Sequence, residues 1–429
     1  MRPGVNLAAA ALVGAAVLAG CADVPPSGAP TPGKSGASTG KPGDSKPNPS
    51  TPATPGPSST TPSSTIPSPT TPSSTIPSPT TPSSTIPAPT IPAPTTPGPT
   101  APATGLPAAA PVTRSFPSRL PNGKPPLFVV VSFDGAGDLA LWARWRAVAK
   151  QVNARMTFFL SGPYLYPENH RTDYKPPFHK PGASEIGWGD TANVLARTTV
   201  LREAIAEGQE IGTHANGHFC GATGIGKWTT AQWTAELSAF DRMVRTGPTL
   251  AAGRTVAPPF DPSTVKGMRT PCLEGNRAAY RLAMAKRGML YDASAPGYIA
   301  WPKKVNGLWN FPLESVTLAG TGKKTLTMDY NLWYAQTKAR KAPLAQAPAL
   351  RAQVLATYRA ALAKSRASGN PPLFLGNHFN RWNNSVYSDA LTDFVKQTCT
   401  QPDVRCVSNM ELASWLAKNG VPTGQNRPS

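Results

Sequence analysis

The sequence predicts an α/β fold in which strands and helices alternate around a parallel sheet or barrel, confined to the residues after Val112. Three observations carry that prediction. Pro126–Phe133 (PLFVVVSF) is a continuous apolar run, the mark of a strand buried on both faces. Helical stretches then recur between successive short apolar strands. Finally, 26 of the 51 prolines lie between Cys21 and Val112, where apolar surface is too sparse to offset the entropy of ordering. The 429-residue length alone suits two or three domains. Setting residues 1–112 aside leaves about 317 residues, enough for one large domain over 113–429.

Residues 1–21 (MRPGVNLAAAALVGAAVLAGC) read as an export signal. Arg2 supplies the positive start, and Leu7–Leu18 is an apolar stretch too short to span a bilayer comfortably. Leu18-Ala19-Gly20-Cys21 resembles a bacterial lipobox, so Cys21 is the expected lipidation site and the anchor to the membrane. After Leu18 no apolar run approaches the roughly 20 residues of a spanning helix. The expected location is therefore the outer face of the cell membrane. Residues 22–112 are expected to be a disordered tether. TTPSSTIPSP occupies 60–69, repeats at 70–79 and recurs as TTPSSTIPAP at 80–89. Proline every few residues favours polyproline II and forbids helix. At ~3.1 Å per residue, such a tether reaches on the order of 280 Å when fully extended.

Within 113–429 the elements follow in order. Leu139–Val152 reads as a helix and Arg155–Leu160 (RMTFFL) as the next strand. Val194–Glu207 is helical and ends at Gly208, a favourable residue past a helix C-terminus. Glu210–Thr213 is a short strand and Thr229–Val244 a helix. Strands are expected near Lys266–Thr270, Met289–Tyr291 and Thr325–Met328, and a long Ala-rich helix over Ala345–Ala367. Leu373–Gly376 is a strand, Asp389–Gln397 a helix, Val404–Val407 a strand and Met410–Lys418 the closing helix.

Lys and Arg total 42 against 22 Asp and Glu. Residues 1–112 hold four of the bases and two of the acids, so the domain carries 38 against 20, or about +18. A basic exported domain suits anionic surroundings such as wall polymers or lipid head groups, although a generally basic proteome would give the same balance. No nucleic-acid recognition motif is present, and nucleic acid is not an expected partner. Four cysteines follow Cys21. An even number outside the cytoplasm suggests two disulfides with three possible pairings. Cys220–Cys272 with Cys399–Cys406 is the expected set; no zinc spacing matches these cysteines.

The residues that can carry chemistry gather at predicted strand ends, where barrels place their active sites. Asp134 follows the buried strand in Ser132-Phe133-Asp134-Gly135; taken alone it equally suits a turn or a helix cap. His214 and His218 form H-x3-H after the next-but-one strand, a spacing that can share a metal. Surface or hydrogen-bonded histidines are the plainer reading of that spacing. The chain holds only five histidines, however. Arg269 in Arg269-Thr270-Pro271-Cys272 can hold a carboxylate through a bidentate pair. Asp292 ends the strand of Tyr291-Asp292. His378 follows Leu373–Gly376, where a histidine can act as a general acid near neutral pH.

That order resembles the polysaccharide deacetylase family with the NodB-type domain, above all its chitin-deacetylase-like branch, over roughly residues 121–418. The matching segments are Glu210–His214 with His218, Arg269–Leu273 leading to Tyr291-Asp292, His378, and Asn409–Leu416. The resemblance implies a distorted (β/α) barrel and a divalent metal, usually zinc. It implies removal of acetyl groups from polymers containing N-acetylglucosamine, such as cell-wall or chitin-like glycans. It assigns Asp134 as base, held by Arg269. His214 and His218 become metal ligands and His378 the acid, with Asp292 behind the reacting groups.

One position departs from the pattern. The family carries a second aspartate as third metal ligand where this chain has Gly135. Asp138, Asp134 itself and Asp329 are the alternative carboxylates. Two functions follow: a metal-dependent deacetylase, or a tethered glycan-binding homologue without catalysis. For the second, Trp188, Trp301, Trp309, Trp333 and Trp382 are candidate sugar-stacking faces.

Overall fold

The computed structural model describes residues 113–221 and 224–422. Cys21, the export signal and the Pro-rich segment 22–112 lie outside the described residues.

β1 (Leu127–Gly135) organises the domain. Its odd-numbered apolar residues Leu127, Val129, Val131 and Phe133 pack toward the surrounding helices. Phe128 and Val130 pack in a second core with Phe159, Tyr291, Phe311 and Phe374. The two-residue period of a strand explains the split and puts Ser132 and Asp134 on that second, inner face.

After β1 come α1 (Leu139–Gln151), β2 (Thr157–Leu160), α2 (Thr191–Ala206), β3 (Glu210–Thr213) and α3 (Thr230–Ala252). Next are β4 (Gly267–Met268), α4 (Arg277–Lys286), β5 (Tyr291–Asp292), β6 (Pro296–Gly297), β7 (Lys303–Val305), β8 (Leu308–Asn310), β9 (Leu313–Thr317) and β10 (Lys324–Leu326). The chain closes with α5 (Asp329–Thr337), α6 (Ala347–Ala367), β11 (Leu373–His378), α7 (Val386–Thr398), β12 (Val404–Val407) and α8 (Asn409–Asn419).

The main sheet runs β11-β1-β2-β3-β4-β5-β8-β7, with β12 also paired to β1. All its pairings are parallel except β7 with β8. β10, β9 and β6 form a second sheet. The segment leading from it bonds to β11 through Gly376 N–H and the Thr327 carbonyl (2.8 Å), and β9 bonds past the end of β5 through Leu313 N–H and the Ala295 carbonyl (2.9 Å). The result is a curled, incompletely closed barrel, the α/β architecture expected. α8 supplies Leu412, Trp415 and Leu416 to the inner core.

Local chemistry sets the helix starts. Asp138 caps α1 by accepting from Leu141 N–H, Asp190 caps α2, and Thr229 with Gln232 forms a capping box on α3. α3 departs from expectation by continuing through Gly247-Pro248 to Ala252. Both residues are buried, and a Cβ at Gly247 would lie 1.8 Å from the Leu165 carbonyl oxygen. Close packing there outweighs the helix-breaking propensity of the pair. α4, α5 and the strands β7 to β9 were not anticipated. α5 has almost no apolar period and the strands run only three to five residues, whereas α4 has a clear apolar face over just ten residues.

Both disulfides form, Cys220–Cys272 and Cys399–Cys406. The first joins the loop after β3 to the turn after β4. The second joins the end of α7 to β12.

Candidate active site

Register brings the predicted residues to one end of the sheet. Asp134 on β1 is the direct neighbour of His378 on β11. Thr213, Met268 and Asp292 align across β3, β4 and β5. His214 and Arg269 are the next residues after two of these strands, so Asp134, His214, Arg269 and His378 share the carboxyl-terminal face.

Arg269 fills the barrel interior beneath this face. It is 2 % exposed and lies over the Phe159 ring, 4.7 Å from its centroid. Its Nη1 donates to Asp134 Oδ1 (2.9 Å), Nη2 to Ser132 Oγ (2.9 Å) and Nε to the Ala293 carbonyl (3.1 Å). The inner-face alternation of β1 places Ser132 and Asp134 together for this guanidinium. Burial works against a charge on Asp134. The charge and hydrogen bond of Arg269, with His378 beside them, together hold the carboxyl below its ordinary range. Asp134 is thus an oriented, ionised carboxylate.

His378 Nδ1 lies 2.7 Å from Asp329 Oδ1, and its backbone N–H donates to Asp329 Oδ2 (2.8 Å). Burial disfavours imidazolium, but the Asp329 carboxylate overrides it and raises the proton affinity of the ring. With Nδ1 held by Asp329, Nε2 is the nitrogen left to transfer a proton. Sequence reasoning had noted Asp329 only as a spare carboxylate. Its pairing with His378 spans 49 residues and has no local signal.

His214 Nδ1 lies 2.9 Å from the Arg269 carbonyl oxygen, so it carries the proton and leaves Nε2 with a lone pair. The His218 ring centroid is 5.2 Å from that of His214. Burial lowers the proton affinity of both rings, His218 to about 3 with His214 and His378 adding to it, and His214 with His378 and Arg269 adding to it. Two neutral imidazoles side by side are suitable nitrogen donors for a divalent metal.

The carboxylate half of a metal site is missing. Gly135 offers no side chain. Asp138, one of the alternative carboxylates, caps α1 and is paired with Arg381 (2.7 Å). Asp329 serves His378, and Asp134 serves Arg269. Among the described residues, three His, Cys, Asp or Glu donors converge only at His218, Cys220 and Cys272. Two of those sulfurs form one disulfide and carry no thiolate. Among the described residues, His214 and His218 are thus the two imidazoles that could hold a divalent ion, with no carboxylate free to join them.

Asp292 stands behind the reacting groups and makes no direct contact with Asp134 or His378. It is fully buried and bonded to Arg281 Nε (2.7 Å), Tyr280 Oη (3.1 Å) and Ser294 N–H (2.9 Å). Its link to the site is indirect: Ser294 Oγ accepts from Thr270 N–H (2.9 Å), next to Arg269. It is a positioning carboxylate.

Of the aromatic candidates, Trp301 and Trp309 are buried in the inner core, and Trp188 packs against the outer core. Trp382 and Trp333 are half-buried with ring centroids 5.4 Å apart, and Trp382 lies 4.6 Å from the His378 ring. Tyr330 adds a third ring 5.7 Å from Trp382. These rings rim the acid end of the site.

No protein-family model and no curated protein matches the chain. Among solved structures, it is similar to a protein from Mycobacterium smegmatis described as a polysaccharide deacetylase. Identity is 18 %, coverage 76 % of this chain and 100 % of that one, and the TM-score 0.44. It is also similar to a CE4 family pseudoenzyme from Bacillus anthracis, at 12 % identity, 71 % and 69 % coverage and a TM-score of 0.36. A family 4 carbohydrate esterase from Streptomyces lividans matches at 15 % identity, 70 % and 93 % coverage and a TM-score of 0.30. At such distances the functional argument rests on the side chains.

Proposed function

We propose that this chain is a hydrolase of the polysaccharide-deacetylase type, removing acetyl groups from N-acetylglucosamine-containing glycan outside the cytoplasm. One observation carries the reading: an ionised, Arg-clamped Asp134 stands in register beside His378, whose proton affinity Asp329 raises. A paired base and acid on adjacent strands suit amide hydrolysis. Asp134 takes a proton from the attacking water. His378 Nε2 returns one to the departing amine nitrogen as the carbon–nitrogen bond breaks. Arg269 favours the ionised form of Asp134 and Asp329 the protonated form of His378. When bound at His214 and His218, a divalent ion would polarise the acetyl carbonyl and acidify water. We further propose that lipidated Cys21 anchors the protein to the membrane and that residues 22–112 let the domain reach wall glycan.

Gly135 favours a second reading, a tethered glycan-binding homologue that stacks sugar on Trp382 and Trp333 without turnover. Acetate release from N-acetylglucosamine oligomers by the detergent-solubilised full chain separates the two. The hydrolase reading expects release that a chelator suppresses and that D134N or H378A lowers by roughly 10²–10⁴-fold. Glycan retention with no acetate, even after zinc loading, establishes the binding reading instead.

A further inference from the structure

The loop carrying His214 and His218 rests on a buried carboxylate that the proposed chemistry does not use. Glu236 lies in the middle of α3 and is 2 % exposed. Its Oε1 accepts from Asn216 N–H (2.9 Å), and its backbone carbonyl accepts from Asn216 Nδ2 (2.9 Å). Tyr174 Oη donates to the same carboxylate, 3.0 Å from Oε1 and 2.9 Å from Oε2. Tyr174 Oη also accepts from Gly217 N–H (3.2 Å). Asn216 and Gly217 are two of the three residues between the histidines.

The loop needs such a brace. Ala215 (φ 57°) and His218 (φ 56°) both sit in the left-handed region, which non-glycine residues rarely adopt. Two successive N–H groups, those of Asn216 and Gly217, point into the protein and would be left buried and unpaired without an acceptor. Glu236 and Tyr174 supply it. Among the described residues no charged side chain hydrogen-bonds to Glu236, and burial pushes its carboxyl up to about 7. A helix interior gains nothing from a buried carboxyl by itself.

We infer that Glu236, relayed by Tyr174, is the positioning residue that sets the relative placement of the His214 and His218 rings. This inference rests on reading those two histidines as working groups of the site. Their separation is then a property of α3 as much as of β3.

The test uses the full chain in detergent with ¹⁵N-labelled histidine. Ring ¹⁵N signals report tautomer and mobility whether or not metal binds. Zinc affinity is read separately by competition with a chromophoric chelator. In the wild type, His214 is expected as a fixed Nδ1–H tautomer. E236A is expected to give averaged ring signals for His214 and His218 and to lower zinc affinity by about 10–100-fold. E236Q, which keeps an acceptor for Asn216 N–H, is expected to restore both. Y174F removes only the relay and gives an intermediate result; with E236Q it decides the matter if E236A does not fold. Wild-type ring signals in folded E236A, or in Y174F together with unchanged zinc affinity, overturn the inference. A wild-type chain that binds no zinc undermines the metal reading above, while the ring signals still judge the brace.

Discussion

Replacing Gly135 by aspartate adds a carboxylate next to Asp134 where the two imidazoles lack a third partner. A Cβ there meets nothing closer than Tyr164 Cε2 at 3.8 Å, so space is available. The backbone φ of 90° is the cost, about 1–3 kcal/mol for a non-glycine residue. G135D is therefore expected to melt lower than wild type yet bind zinc at least ~10-fold more tightly, by chelator competition. Unchanged affinity would mean that the missing aspartate is not what limits the site. Asp329 gives a second test. Its carboxylate raises the proton affinity of His378, so D329N should lower it. The alkaline limb of the pH–rate profile is then expected to move toward acid. NMR titration of the ring reports the same change without turnover. The pair also stabilises the fold fully below pH 6.5, the ordinary histidine value. That contribution fades as pH rises through the higher folded value. Asp134, His214, Arg269 and His378 were readable as candidates because each stands at a strand end. The role of Asp329 was not, since its partner is 49 residues away.

β3 and β4 deliver their functional residues through loops that the Cys220–Cys272 bond ties together. Cys220 lies two residues after His218, and Cys272 three after Arg269. The bond spans 52 positions, against seven for Cys399–Cys406. Chain entropy then assigns about 4 kcal/mol to the first and about 2.5 kcal/mol to the second. Thermal melts of C220S/C272S and C399S/C406S are expected to rank in that order. A larger loss from the shorter loop would show that local strain or packing, and not loop closure, governs the difference. Strands and the helices α1 and α3 follow from apolar period and capping residues, α2 from its Asp190 cap and closing Gly208, and α6 from its run of alanines. α5 and the β7–β8 hairpin do not, because such short segments leave little periodic signal. α4 carries an apolar face and an Asn276 cap over ten residues, a signal present in the sequence.

The domain carries about 18 net positive charges, 38 Lys and Arg against 20 Asp and Glu. Many of the arginines are already paired on the surface, for example Arg146 with Glu203 and Arg351 with Asp393. The surplus is what an anionic polymer would meet. Retention on an anionic matrix is expected to fall steeply as salt rises and the screening length shrinks from about 10 Å at 0.1 M to about 3 Å at 1 M. Salt-independent retention would point instead to aromatic stacking at Trp382 and Trp333.

The sequence by itself determined the alternating α/β order, the doubly buried first strand, most helix starts and the strand-end positions of the candidate residues. Those features depend on neighbours a few positions apart, through apolar period and turn chemistry. Tertiary structure alone decided which carboxylate serves which partner. Arg269 reaches Asp134 across 135 positions, Asp329 claims His378, Asp138 is spent on a helix cap, and Glu236 braces the histidine loop from α3. Such pairings follow from strand register and from how far the sheet curls. One residue of register exchanges the inner and outer faces of a strand, and no local pattern records that choice.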